Sequence, residues 1–291
     1  MYYIVFGILY LISLLPLRLL YLISDFAYFI IYYVAGYRKD VVMKNLTIAF
    51  PNKTEVEKTR IAKKFYRNFT DTFIETIKFI SANPAFFRRH FGADYSIVDE
   101  VYKLGRPVQV HVGHNFNWEL VNLGAVRMLP QPVLGVYLPL NNKIFDRLFR
   151  YLRSRFGTIL IAATRMRQEM LPWRGKQYVL GLIADQSPPG PDKAYWVKFF
   201  GKTTAFLKAP EDAARRNNLP VLFGHFTKVK RGHYRGHMEL CTTEPSSFTP
   251  GQITNLYAQY LERVMSEQPE MWLWSHRRWK LDWKEEYGVV E

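Results

Sequence analysis

From about residue 107 the chain alternates between short β-rich runs and helical stretches, and this alternation limits the fold more than any other feature. Pro107 to Val112, Val133 to Tyr137, Tyr178 to Ala184 and Val221 to Thr227 read as strands, rich in branched and aromatic residues. Helical patterns lie between them, from Asn117 to Met128, Lys143 to Phe156 and Leu207 to Asn217, and Gln252 to Ser266 forms a late amphipathic helix. Upstream, Thr54 and Glu57 have the spacing of a capping box and open a helix reaching residue 81. The pattern predicts an α/β class with a mixed, largely parallel sheet flanked by helices. Ligands in such sheets bind outside the carboxyl ends of the strands. The loops after residues 112, 137 and 184 are therefore where function is expected.

The first 36 residues have a different character. Tyr2 to Leu15 is apolar apart from a serine, Pro16 and Arg18 interrupt, and Leu19 to Ala35 is apolar again around Asp25. A basic start and a small-residue cleavage site, the marks of a secretory signal, are not evident. The segment reads as an N-terminal membrane-anchoring helical stretch over residues 1–36, followed by a single domain over residues 37–291. A span, a kinked span, a hairpin in one leaflet and a pair of buried core helices all fit its composition. Arg38, Lys39 and Lys44 follow at once, which by the positive-inside rule puts the domain on the cytoplasmic side.

Charge narrows the partners. Lys and Arg number 40 against 25 Asp and Glu, a formal net charge of +15, so an anionic partner is expected. Aromatic residues are 16% of the chain, which suits a membrane interface, where rings lie beside polar tips. The single cysteine, Cys241, rules out a disulfide framework and a multi-cysteine zinc site. It lies in a strand-like stretch and reads as core rather than nucleophile.

The loop after the first strand reads VHVGHNFNWE and carries the main chemical candidate. His114 sits in the loop, and Glu119 falls in the first turn of the next helix, with Asn117 as its N-cap. A histidine steadied by a carboxylate is a general base, because the carboxylate holds the tautomer and supports the charge. The bland reading is a locally bonded loop histidine beside a glutamate placed for the helix dipole. The helix around Arg153 also carries Arg147, Arg150 and Arg155, mostly a solvated face, with one or two placed to bind phosphate or an oxyanion. LIADQSPPG leaves a strand with Asp185 and Gln186 at its carboxyl end, either site residues or a polar turn. PEMWLWSHRRWK, residues 269–280, is read as contacting lipid headgroups through Arg277, Arg278 and Trp279, or as an amphipathic closing segment. No P-loop, G-x-G-x-x-G, G-x-S-x-G or H-E-x-x-H is present, so neither a cofactor nor a metal is expected. A base without a nucleophile or metal suits direct transfer to a hydroxyl.

Taken in order, NLTIAFPNK from Asn45, HNFNWE from His114, the helix around Arg153, LIADQ from Leu182, FFGKTT from Phe199 and the Trp-rich block from Pro269 resemble the bacterial lipid A late acyltransferases. These are the lauroyl and myristoyl transferases, within the wider glycerolipid acyltransferase-like group. The resemblance covers most of the chain. It implies an inner-membrane enzyme that takes a fatty acyl chain from an acyl carrier protein thioester and esterifies a 3-hydroxyacyl group of a lipid A precursor. By position it implies His114 as base and Glu119 as its partner. Arg153 and Asp185 fall where the family keeps functional residues, and Asn117, Gln186 and Arg155 are supporting candidates. The stretch SPPGPDKAYWVK after Gln186 departs from the pattern, which leaves the acceptor open. Two rivals are a relative acylating another aminolipid or glycolipid, and a basic membrane-tethered binding protein. Nucleic acid is not the expected partner, since only the C-terminal block interleaves cations with aromatics.

Overall fold

The computed structural model describes residues 1–290. Two apolar helices come first, α1 (Tyr2–Leu14) and α2 (Leu17–Phe29), the latter continued by a π-helical turn, Ile30–Val34. Leu17 to Val34 is long and apolar enough to cross a membrane by length and composition. Then follow α3 (Lys39–Ala49), α4 (Glu55–Lys78), α5 (Pro84–His90), β1 (Phe91–Ala93) and α6 (Ser96–Tyr102). The alternating part runs β2 (Val108–Val112), α7 (Trp118–Ala125), β3 (Val133–Tyr137), α8 (Lys143–Ser154), β4 (Ile159–Ala162), α9 (Met166–Glu169) and β5 (Val179–Ile183). The chain closes with β6 (Ala194–Phe199), β7 (Lys202–Leu207), α10 (Ala209–Asn217), β8 (Val221–Lys230), β9 (His233–Thr242) and α11 (Gln252–Glu267).

Seven strands form one mixed sheet in the order β1-β9-β8-β2-β5-β3-β4. Only the β8–β9 hairpin is antiparallel; every other pairing in that sheet is parallel. The predicted class is what is found. β2 lies between β5 and β8 with His111 opposite both Leu182 and Phe223, and its residues Val108 and Val110 are buried. The polar Gln109 and His111 are buried as well, so both faces of β2 are covered.

The capping box at Thr54 and Glu57 is present, and α4 extends 24 residues from it. Four strands were not expected from sequence: β1, β4 and the two of the separate β6–β7 hairpin that carries FFGKTT. The hairpin turns on Phe200 and Gly201, both at positive φ (50° and 72°), the conformation that a two-residue hairpin loop requires. A phenylalanine gives no such signal in sequence. It is held there by Glu262, which accepts from the Phe200 amide.

The two apolar helices lie against the rest of the chain. Leu20, Ser24, Tyr28 and Tyr32, four residues apart, form the buried stripe of α2 and its π turn. They face α4, where Ser24 donates to Asp71 (2.8 Å) and Tyr21 to Glu75 (2.9 Å). The opposite face leaves Leu19, Leu22, Ile23 and Phe26 exposed. Cys241, on β9, is half-buried; burial and the neighbouring Glu211 and Glu239 push its thiol up to about 12, which fits a packing role.

α7 is set by its contact with β1. A Cβ on Gly124 would fall inside the van der Waals surface of the buried Phe91 ring. Gly124→Ala is expected to destabilise the protein by about 1–3 kcal/mol, the usual range for overpacking. Chemical denaturation of the detergent-solubilised protein checks this; an unchanged midpoint would mean that α7 and β1 part without cost.

Candidate functional site

His114 lies just beyond the carboxyl end of β2, and Asp185 two residues beyond β5, its parallel neighbour. Adjacent parallel strands thus bring together residues 71 apart in sequence. The Asp185 carboxylate accepts from the His114 backbone amide (2.8 Å), from His114 Nδ1 (2.5 Å) and from Trp272 Nε1 (2.7 Å). Only 1% of its surface is exposed, so these donors are what allow it to remain ionised there. Burial alone would raise its pKa, but the histidine charge and the three hydrogen bonds outweigh burial and hold the carboxyl at about 2.

With Nδ1 donating to an ionised carboxylate, Nε2 of His114 carries the lone pair, and among the described residues it has no partner. The ring is 18% exposed, with Trp118 edge-on (5.9 Å between centroids) and His276 roughly parallel (6.1 Å). Burial opposes protonation of His114, yet the charge and hydrogen bond of Asp185 prevail and raise its pKa above the usual 6.5. His276 is pushed down to about 4 by burial and by the charge of His114, so it sits beside the site as a neutral ring.

Glu119 is not the partner of His114, as the sequence suggested. Among the described residues its carboxylate is taken by Arg153, from Nε (3.0 and 3.1 Å) and Nη2 (2.5 Å). Glu119, in the first turn of α7, reaches Arg153 on α8, while His114, in the preceding loop, reaches Asp185 beyond β5. Glu119 is buried and Arg153 a quarter exposed, leaving Nη1 of the guanidinium open.

The remaining candidates separate clearly. Asn117 is the N-cap of α7, its Oδ1 accepting from the Leu120 amide (3.3 Å), and it is fully buried behind the loop. Gln186 is exposed. Arg155 is tied to the Phe79 carbonyl (2.5 Å) at the end of α4, away from His114. Arg277 is exposed, but Arg278 and Trp279 are 1% and 8% exposed, so neither faces a membrane surface. Their basic and aromatic character suggested an interface; tertiary packing instead puts Arg278 over the Phe206 ring (4.0 Å) with Nη1 on the Ala205 carbonyl (2.7 Å). Trp279 donates to Thr204 (2.9 Å).

The C-terminal block is a strap across the site. Asn115 and Trp272 form an antiparallel bridge, and the Phe116 amide donates to the Met271 carbonyl (2.8 Å). Asn45 of NLTIAFPNK grips the same strap, donating to the carbonyls of Trp274 and His276 (both 2.7 Å). Sequence reading missed this, and it missed Glu75. That fully buried carboxylate accepts from Asn117 Nδ2 (2.8 Å), Tyr21 (2.9 Å) and Tyr234 (2.9 Å), joining the site loop, α2 and β9. Burial raises its pKa despite these donors. An acidic residue in the last turn of α4 carries no signal of this, because its three donors come from distant segments.

The family described as "Bacterial lipid A biosynthesis acyltransferase" matches residues 1–281. The chain is 24% identical over 259 residues to the lipid A biosynthesis palmitoleoyltransferase of Escherichia coli (strain K12), covering 84% of this chain and 79% of that protein. It has the same identity and coverage with a lipid A biosynthesis acyltransferase of Shigella flexneri.

Two outcomes test the site. In the wild type the His114 ring should titrate above 6.5 by nitrogen NMR, and in Asp185→Asn below it, because burial then acts unopposed. A histidine with a raised folded pKa contributes stability that is complete below the unfolded value and lost as pH rises through the folded one. Glu75→Ala orphans two buried donors, Asn117 and Tyr234, at about 1–3 kcal/mol for each, and the half-buried Tyr21 hydroxyl. Glu75→Gln can keep all three partnered, its oxygen accepting from Asn117 and Tyr234 and its amide donating to the Tyr21 oxygen, so its denaturation midpoint should stay near wild type.

Proposed function

The chain belongs to the bacterial lipid A biosynthesis acyltransferase family, and we propose that it moves a fatty acyl chain from an acyl carrier protein thioester to a hydroxyl of a lipid A precursor. The observation that carries this reading is the free Nε2 of His114, backed by buried Asp185, at the carboxyl ends of two adjacent parallel strands. In the proposed reaction Nε2 takes the acceptor hydroxyl proton, and the oxygen attacks the thioester carbonyl. The resulting tetrahedral oxyanion collapses, the carbon–sulfur bond breaks, and the departing thiolate takes the proton back from the imidazolium. Atoms and charge balance with no further reactant. Asp185 steadies the imidazolium as it forms, as a carboxylate behind a general base does. Arg153, aimed by Glu119, offers its open Nη1 to a phosphate or to the developing oxyanion.

The surroundings support the partners. An acyl carrier protein and a phosphorylated glycolipid are both acidic, and the chain carries +15. In this reading residues 1–36 anchor the protein to the bacterial inner membrane, and residues 37–291, of which Glu291 lies outside the described residues, form the acyltransferase domain on the cytoplasmic side. The cations that follow the apolar stretch support that side.

His114→Ala should lower kcat by at least about 100-fold, the low end of general-base contributions. Mass spectrometry of lipids from a deletion strain is the decisive experiment. Loss of one acyl chain from lipid A, restored by wild type and not by His114→Ala, is expected. An intact lipid A with another acylated lipid missing would move the acceptor, and activity near wild type in His114→Ala would remove the base.

A further inference from the structure

α8 is the most sharply two-sided helix of the chain. Leu148 and Leu152 are buried beneath it, and Lys143, Arg147 and Arg150 are exposed. Its one carboxylate, Asp146, is occupied by the Leu140 amide of the preceding loop (2.9 Å), and Arg153 is occupied by Glu119. The charge left for a partner is therefore entirely positive. Beside the cations stand exposed apolar side chains: Leu138 (61%) and Leu140 (45%) in the loop, and Phe145 (45%) and Tyr151 (42%) on the helix.

This surface continues directly into α1. Phe6 packs edge-on against Tyr151 (5.4 Å), and the Arg147 guanidinium lies over the Tyr2 ring (4.1 Å) and donates to the Tyr3 hydroxyl (3.2 Å). The outward residues of α1 are in turn apolar, with Tyr3, Ile4, Ile8 and Leu11 all exposed. We propose that α8 and the Leu138–Leu140 loop form a second membrane-contact surface, whose cations meet anionic headgroups while the loop and Phe145 enter the outer acyl region of the leaflet. Exposed leucines and phenylalanine flanking a cation row, continuous with an apolar anchor, fit a lipid surface better than an acidic protein. The consequence is positional: Arg153 belongs to the last turn of the same helix, so seating α8 on the bilayer brings the Glu119–Arg153 pair to the level of membrane-bound lipid. The inference concerns where the protein meets the bilayer and holds for any acceptor lipid.

The test uses the full chain with Cys241→Ser and single labelled cysteines at 140, 145 or 246, in vesicles of phosphatidylglycerol and phosphatidylethanolamine doped with nitroxide lipid. Ser246 is the control, exposed beyond β9 near Arg106, which precedes β2 at the other end of the sheet. Quenching at 140 and 145 should exceed that at 246 by about twofold or more, as for residues within the acyl boundary. Equal quenching at all three would overturn the proposal. Combining Lys143→Glu with Arg150→Glu should lower quenching at 145 and leave the KM for the acyl donor unchanged. A raised donor KM with unaltered quenching would assign the cation row to the acyl carrier protein, and that result too would overturn it.

Discussion

A carboxylate with 1% of its surface exposed must be met by donors or lose its charge, and the organisation of this site follows from how Asp185 is met. One donor is the His114 amide and another its ring, so the loop after β2 is pinned at both its backbone and its side chain. The third is Trp272, from the far end of the chain. Satisfying one buried charge therefore ties β2, β5 and the C-terminal strap to a common point. Close packing reinforces the pin: a Cβ on Gly113 would press on Leu261, on Asn115 and on Asp185 itself.

A second buried carboxylate does related work on the other side of the loop. Glu75 orients the Asn117 amide so that its oxygen faces the α7 amides, and the same carboxylate holds Tyr21 of the anchor and Tyr234 of β9. One turn away, Asp71 accepts from Ser24 (2.8 Å), Lys228 (3.3 Å) and Arg231 (2.6 Å). Arg231 also reaches Asp25 on α2 (2.7 Å). The apolar helix α2 is thus joined to the rest of the chain by polar contacts at its middle, and through Glu75 to the helix that carries Glu119.

Two ion pairs stand out: His114 with Asp185, and Arg153 with Glu119. In the proposed reaction the first would manage a proton and the second would present a positive charge. The two would be complementary in the proposed transfer, which develops negative charge on the carbonyl oxygen while a proton leaves the attacking hydroxyl. Neutral His276 and the Trp118 edge border the first pair without adding a competing charge.

Local pattern in the sequence determined a good deal: the α/β class, the largely parallel strands and the capped α4, and it singled out His114 and Arg153 as candidates near the carboxyl ends of the strands. Strand and helix periodicity, turn chemistry and strand polarity are properties of neighbouring residues, so they are legible without contacts. The pairing of the charged groups was not legible in that way. His114 and Glu119 are close in sequence and looked like a couple, but helix direction sends Glu119 to Arg153 and strand adjacency sends His114 to Asp185. Arg278 and Trp279 looked like surface residues because composition records polarity and not depth. Glu75 showed no signal at all, since a buried carboxylate is recognised only by its donors, and here they come from three remote segments. The residue types belong to the sequence, and the partners were decided only by tertiary structure, because a buried charge takes whichever donor the folded backbone brings within hydrogen-bonding distance.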